Sequence, residues 1–385
     1  MHDPIPPPEA AEDPRFLTDQ LVTCIGNKRA LLDFIGEGLA IVLDRLDKPR
    51  IDIFDAFSGS GVVSRYFKRF ARRLVANDLE LYADIANRCY LTNYDDVDRR
   101  RLAAIHRELL DRLEGLEPTF RDGERREDDA SGFVAELYAP EDDAAIKAGE
   151  RVFYTRRNAR FIDAARALIA GLDAEDRPYF LAPLLSEASI HANTAGVFKG
   201  FYKDAETGIG RFGGRAGDAL SRILGDIGLP FPLFSRFSCA IESHRGDAAA
   251  TAELAGDIDL AYLDPPYNQH PYGSNYFMLN LIAEGRRPQK ISEVSGIPQD
   301  WSRSDYNAIH KAAEALEDLV ARLRAKFILL SFNSEGFLSR EKMEGLLGRH
   351  GRLSVLERDY SAFKGSRNLA ARPLRVKEFL YLLEK

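Results

Sequence analysis

At 385 residues, 45% of them hydrophobic, the chain can bury a large core, and its length allows about two or three domains. A formal net charge of −7 excludes a surface coated in positive charge for nonspecific nucleic-acid binding, while leaving room for a local basic groove. No apolar run of the roughly eighteen residues needed to cross a membrane exists, and the opening "MHDPIPPPEAAEDPRF" has neither the basic end nor the apolar centre of a secretory signal.

A cytoplasmic protein with a flexible proline-rich tail over residues 1–20 is therefore expected. Cys24, Cys89 and Cys239 are odd in number, far apart and without metal-type spacing, and the histidines are scattered, so neither a disulfide framework nor a metal site is expected.

In chain order, residues 27–46 read as an amphipathic helix, with Leu31, Leu32, Ile35, Leu39, Val42 and Leu46 recurring every three or four positions. "RIDIFDAFSGSGVVSRYFKRF" follows as a β-branched strand up to Asp55, a Gly/Ser-rich loop and a helix. "RRLVANDLE" is a second strand ending in the acid Asp78, and this strand–helix–strand order opens a doubly wound α/β sheet. From about Tyr94 to Glu150 heavy charge predicts solvated helices and loops. Two helices are predicted at "RNARFIDAARALIAGL" and "YFLAPLLSEASIHANTAG", then a basic, glycine-rich segment, "VFKGFYKDAETGIGRFGGRAGD". Strands resume with "DIDLAYLD", "AKFILLSFN", "GRLSVLERDY" and "RVKEFLYLLE", the last two as a terminal antiparallel pair closing the sheet.

Three features carry chemistry. In "DAFSGSG", Gly59 and Gly61 let backbone approach a ligand at the start of a helix, but Ser64 replaces the third glycine of a dinucleotide fingerprint, which argues against a nicotinamide cofactor. Asp78, about twenty residues beyond, is placed either to accept hydrogen bonds from ribose hydroxyls or to cap the next helix. In "YLDPPYNQH", Pro265 and Pro266 end the strand and stiffen the turn after it, holding Asp264 and Tyr267 in place.

Together the loop, the acid and "DPPY" resemble the N6-adenine DNA methyltransferases of the DNA adenine methylase family, which use S-adenosylmethionine. The resemblance runs over most of the chain: "TCIGNKRALLDFI", "DAFSGSGVVSRYF", "NDLE", "HRGDA", "DPPYNQHPYGSNYFMLN", "FYTRRNARFIDAAR" and "FKGSRN" all resemble segments of that family. It implies a Rossmann-like methyltransferase sheet with a largely helical insertion. The catalytic domain would comprise residues 21–94 and 236–385, with 95–235 as a candidate target-recognition region. The implied reaction moves the sulfonium methyl of S-adenosylmethionine to adenine N6 in double-stranded DNA at a short specific site, in an orphan enzyme or beside a cognate restriction endonuclease. RNA adenine, a protein amide nitrogen, or a silent DNA-binding scaffold are the alternatives.

Carried over residue by residue, the resemblance implies that Asp264, Pro265, Pro266 and Tyr267 are catalytic. Asp264 and the Pro265 carbonyl would accept the adenine amino hydrogens, while Tyr267 would stack on a flipped base and tolerate the sulfonium charge. Cofactor contacts are implied at Asn27, Lys28, Asp55, Phe57, Gly59, Ser60, Gly61, Asp78, Asp247 and Asp264. Lys28 would meet the methionine carboxylate. Asp247 either accepts from the cofactor adenine or caps the helix at "AAATAELA". For DNA, Lys199, Lys203, Arg211 and Arg215 lie among aromatics and glycines suited to phosphate contact, and Lys364 and Arg367 in "FKGSRN" form a second candidate set.

Overall fold

A computed structural model describes residues 12–19, 21, 28–121, 132–214, 217, 219–361 and 375–385. Seven strands form one sheet: β1 (Ile51–Asp55), β2 (Ala71–Asp78), β3 (Ala240–Arg245), β4 (Ile258–Leu263), β5 (Ala325–Asn333), β6 (Arg352–Ser361) and β7 (Arg375–Glu384). Their order is β3-β2-β1-β4-β5-β7-β6. β1 to β5 run parallel, and β7 inserts antiparallel between β5 and β6.

Alternation along the strands builds the two faces. Phe54, Val75, Ala261 and Ile328 join the cluster under helices Ala248–Ala255, Ala312–Arg322 and Arg340–Leu347. Their neighbours Ile53, Leu74, Leu260, Phe327 and Leu329 join the cluster under helices Leu32–Leu46 and Val62–Phe67. Strands buried on both faces read as continuous apolar runs, which is why β1, β4 and β5 are legible in the sequence.

The terminal pair is as expected, with β6 and β7 antiparallel from Arg352↔Glu384 to Ser361↔Arg375. β3 departs from expectation. "AIESHR" alternates polar residues on an edge strand that is nowhere fully buried, so it carries no apolar run to read. The predicted first helix starts later, a 3-10 turn at Lys28–Leu31 leading into Leu32–Leu46. That helix packs closely: a Cβ on Gly38 would stand 2.7 Å from Leu380 and 2.8 Å from Leu329. Within the expected tail, Pro14–Thr18 are helical and Phe16 is fully buried, its carbonyl accepting from Arg65. Folded structure thus begins before residue 21.

The segment between β2 and β3 has a core of its own that is continuous with the sheet's flank. Helix Leu81–Tyr90 packs on β2 and β3 and also on helix Arg177–Ile190. Buried residues of helices Arg99–Arg121, Phe133–Tyr138, Arg156–Ala170 and Arg177–Ile190 share one cluster with Tyr82, Tyr276, Phe277 and Met278. No helix among the described residues is long and apolar enough to cross a membrane.

Candidate active site

The strand order reverses between β1 and β4, and there, at their carboxyl ends, lies a cavity of about 960 Å³. Open α/β sheets bind ligands at such a switch point because adjoining loops part there. The floor is the β1 loop, with Phe57, Ser58, Gly59 and Ser60 on the cavity wall. Gly59 and Gly61 have φ of 53° and 74°, a left-handed conformation that disfavours a side chain. At Gly61 an added Cβ would also stand 2.9 Å from Asn87 Oδ1; at Gly59 it would meet nothing within 4 Å, because that backbone faces open space.

Asp78 stands between the cavity and the turn before helix Leu81–Tyr90, whose N-cap is Glu80. It lines the cavity, while its Oδ2 accepts from the Gly59 amide at 2.8 Å and its Oδ1 from the Glu80 amide at 2.9 Å. Desolvation pushes its carboxyl up despite these amides. Asp247 also lines the cavity and caps helix Ala248–Ala255, accepting from Ala249 and Ala250. Phe57 meets Tyr306 edge-on, with ring centroids 5.0 Å apart. Asp55, fully buried at the end of β1, accepts from the Ser64 hydroxyl at 2.6 Å, and burial raises its pKa to about 7. Ser64, the departure from the dinucleotide pattern, thus serves as the donor to a buried acid.

On the β4 side Asp264 and Pro266 line the cavity and Pro265 is buried beneath. Asp264 Oδ1 lies 3.1 Å from Lys28 Nζ, and burial lifts its pKa to about 6 against the pull of that ammonium. Lys28 is neither solvated nor free. It is buried, with its Nζ also 2.8 Å from Glu378 Oε1, and these two carboxylates hold it protonated. One ammonium has three donors, so a third remains for a cavity ligand.

Tyr267 lies apart from the cavity wall. Its ring packs edge-on against Phe332 with centroids 5.9 Å apart, beside a small pocket with Pro265 and Phe337. The cation over its face, at 5.9 Å, is Lys28 Nζ.

Among the expected DNA contacts, Lys199 and Lys203 are exposed, and Lys199 Nζ reaches 3.4 Å from His270 Nδ1 in the segment trailing "DPPY". Lys203 Nζ sits over the Phe201 ring, and Arg211 donates to the Gly214 carbonyl. Asn27, Arg215, Lys364 and Arg367 lie outside the described residues.

Sequence reasoning misses the opposite wall. Ser302, Ser304, Tyr306, Asn307 and Lys311 line the cavity, and Ser302 donates to Glu80 Oε1 at 2.6 Å. Glu80 also accepts from Asn280 at 2.5 Å, and burial lifts its pKa to about 7. "WSRSDYNAIHK" has no glycine loop or proline pair to mark it. Among the described residues no group of three His, Cys, Asp or Glu side chains is gathered to hold a metal.

Comparison with known proteins fits this geometry. Residues 234–345, from just before β3 to helix Arg340–Leu347, match the family model for D12 class N6 adenine-specific DNA methyltransferases. The Type II methyltransferase M.NlaIII of Neisseria lactamica is 30% identical over 342 residues, covering 86% of this chain and 90% of its own. M.CviAII of Paramecium bursaria Chlorella virus 1, also a Type II methyltransferase, is 27% identical over 93% of this chain and 97% of its own. M.FokI of Planomicrobium okeanokoites is 26% identical over 94% of this chain, which spans 52% of that longer protein. With relatedness across nearly the full length of both chains and a carboxylate–Pro–Pro–Tyr turn at the sheet's switch point, the protein belongs to the D12 class N6 adenine-specific DNA methyltransferases.

Proposed function

We propose that the methyl donor is S-adenosylmethionine, bound in the cavity between the β1 loop and residues 302–311, and that Asp264 receives the target adenine beside it. The observation carrying this reading is Asp264 itself: it is the one of the four "DPPY" residues with both a charged side chain and a place on the cavity wall. The cavity fits the donor in size and chemistry, since ligand sites of roughly 300–1,000 Å³ hold molecules of this class. Gly59 leaves its backbone clear, and Asp78 and Asp247 offer further acceptor lone pairs for hydroxyl and amino hydrogens. Lys28 keeps a donor for a carboxylate, and Phe57 and Ser60 complete the floor, with Asp55 and Gly61 flanking them in sequence and Asn27 preceding Lys28.

When bound, the donor supplies an electrophilic methyl group on a sulfonium sulfur. The chain's part is to present the nucleophile. Adenine's amino lone pair is delocalised into the ring, so acceptors aimed at its two hydrogens favour a pyramidal nitrogen and free the lone pair. Asp264 offers one acceptor and the Pro265 carbonyl another, held by the fixed φ of the two prolines. The methylated nitrogen is acidic and releases its proton without a strong base, beside the Asp264 carboxylate. Tyr267, packed on Phe332, presents an aromatic face to the base flipped from the duplex.

For DNA we propose that residues 95–235 serve recognition and that 21–94 and 236–385 carry the chemistry. Lys199, beside His270, sets basic charge next to the catalytic turn, and Lys203 and Arg211 extend it. Arg215, Lys364 and Arg367 are further candidates for phosphate contact. A cognate endonuclease is the expected partner, since several relatives are named Type II or modification methylases.

The test is transfer of labelled methyl from S-adenosylmethionine to unmethylated genomic DNA, read by single-base methylation sequencing, with Asp264→Ala beside it. N6 marks at one motif, absent in the variant, support the reading; marks retained by the variant overturn the role given to Asp264. Binding that is flat in salt would remove the phosphate contacts.

A further inference from the structure

Glu378 is a buried carboxylate that no expected role uses. It stands on β7 opposite Asn333 of β5, 1% exposed, 350 positions from Lys28 in sequence. Its Oε1 takes two donors, Lys28 Nζ at 2.8 Å and the Ser331 hydroxyl at 2.5 Å, and its Oε2 is buried with no hydrogen-bond partner among the described residues. Lys28 is the cation that compensates it, and Lys28 is also the cation on Asp264. A flexible four-carbon side chain would otherwise sample many rotamers. Here one end is set by the 3-10 turn Lys28–Leu31 leading into helix Leu32–Leu46, which packs on β5 and β7, and the other by Glu378.

We infer that Glu378 is a positioning residue for methyl transfer: by anchoring Lys28 on Asp264 Oδ1, it fixes the carboxylate so that Oδ2 faces the adenine amino group. The inference rests on the role given to Asp264 above. Glu378 touches neither adenine nor donor; its hold on the geometry passes through Lys28, beside the direct effect of its charge on Asp264.

The groups that face Asp264 make the role separable from simple packing. They are Lys28 from the turn before helix Leu32–Leu46, Glu378 from β7, Tyr262 from β4, Asp55 from β1 and Tyr267 from the turn itself, with Tyr360 of β6 behind Tyr267 and Glu378. Glu378 opposes ionisation of Asp264 and Lys28 favours it. Removing the charge of Glu378 while keeping its shape therefore leaves Lys28 to Asp264 alone, and the acid limb of the rate profile moves to lower pH. Dependence of the rate loss on Lys28, read in the double variant, separates this role from a packing defect.

The experiment compares wild type, Glu378→Gln, Lys28→Met and the double variant. It measures single-turnover methyl transfer from pH 5 to 8.5, calorimetric binding of S-adenosylmethionine, and affinity for duplexes carrying adenine or purine, which lacks the amino group, at the methylated position. Glu378→Gln is expected to bind the methyl donor as wild type does, to transfer methyl about tenfold to a hundredfold more slowly at neutral pH, and to lose its preference for adenine over purine. Its acid limb lies below that of wild type, and in the Lys28→Met background the same change adds no further loss to the rate plateau. An unshifted limb with an unchanged rate overturns the inference, and so does a rate loss that is additive with Lys28→Met. If Glu378→Gln does not fold, the double variant, neutral at both positions, decides: restored folding with the rate and adenine preference of Lys28→Met supports the inference, and any other rate overturns it. Failure of wild type to transfer methyl, by contrast, strikes the function proposed above.

Discussion

Two acids flank β1 at the carboxyl edge of the sheet, Asp78 at the end of β2 and Asp264 just after β4, and the chain compensates them by different means. Both are drawn out of water and both have their pKa pushed up by it. Asp78 is held by backbone, the amides of Gly59 and Glu80, donors that cannot leave without unfolding the loop. Asp264 is held by a side chain, the Lys28 ammonium, which is itself shared with Glu378. Backbone donors make a rigid acceptor suited to a ligand bound the same way each time. An ion pair makes an acid whose charge depends on its neighbours, suited to a step in which a nitrogen gains and loses positive charge.

The difference can be broken at its strongest point first. Asp264→Ala is expected to lower single-turnover methyl transfer by about a thousandfold or more while leaving donor affinity within a few-fold, because the lost acceptor acts mainly on the reacting nitrogen. Equilibrium binding beside single-turnover kinetics checks both halves. Burial raises the pKa of Asp264 to about 6, so with its carboxylate as the proposed acceptor the wild-type rate is expected to be flat above that pH and to fall as pH drops through it.

Lys28→Met strikes next, at stability. It leaves two carboxylates facing each other, one of them fully buried, and is expected to cost about 3–5 kcal/mol in urea unfolding. Its rate limb should move above 6, opposite in sign to that of Glu378→Gln.

On the β2 side Asp78→Ala should act on binding rather than rate. Loss of charged hydrogen bonds worth roughly 1.5–3 kcal/mol predicts a donor affinity about tenfold to a hundredfold weaker, with the saturated rate within a few-fold of wild type. A saturated rate that falls as far as in Asp264→Ala would erase the contrast between the two acids.

The smallest effect concerns Glu80. Its pKa is raised to about 7 from an ordinary 4.5, as burial outweighs the hydrogen bonds from Ser302 and Asn280. The folded chain holds that proton more tightly than the unfolded one, so this contribution to stability is complete below about 4.5 and is lost as pH rises through about 7. Glu80→Gln, neutral throughout, should melt with the wild type at pH 4 and a few degrees above it at pH 8. A difference that does not grow with pH would show that Glu80 ionises normally.

What the sequence by itself determined is local. Apolar runs read as β1, β4, β5 and β7, the glycines at 59 and 61, the acid at 78 and the proline pair after Asp264 each follow from residues within a few positions of one another, where propensity and backbone geometry act. Tertiary structure alone decided the rest. Edge strand β3 is made by pairing with β2 rather than by its own apolar content, the 302–311 wall by folding back over the β1 loop, and the Lys28–Glu378 pair by strand β7 inserting beside β5. Lys28 reads in sequence as a solvated lysine or a ligand contact because spacing carries no information about a partner 350 residues away. Burial supplied that partner: an ammonium taken out of water must find its counter-charge wherever the fold has brought one.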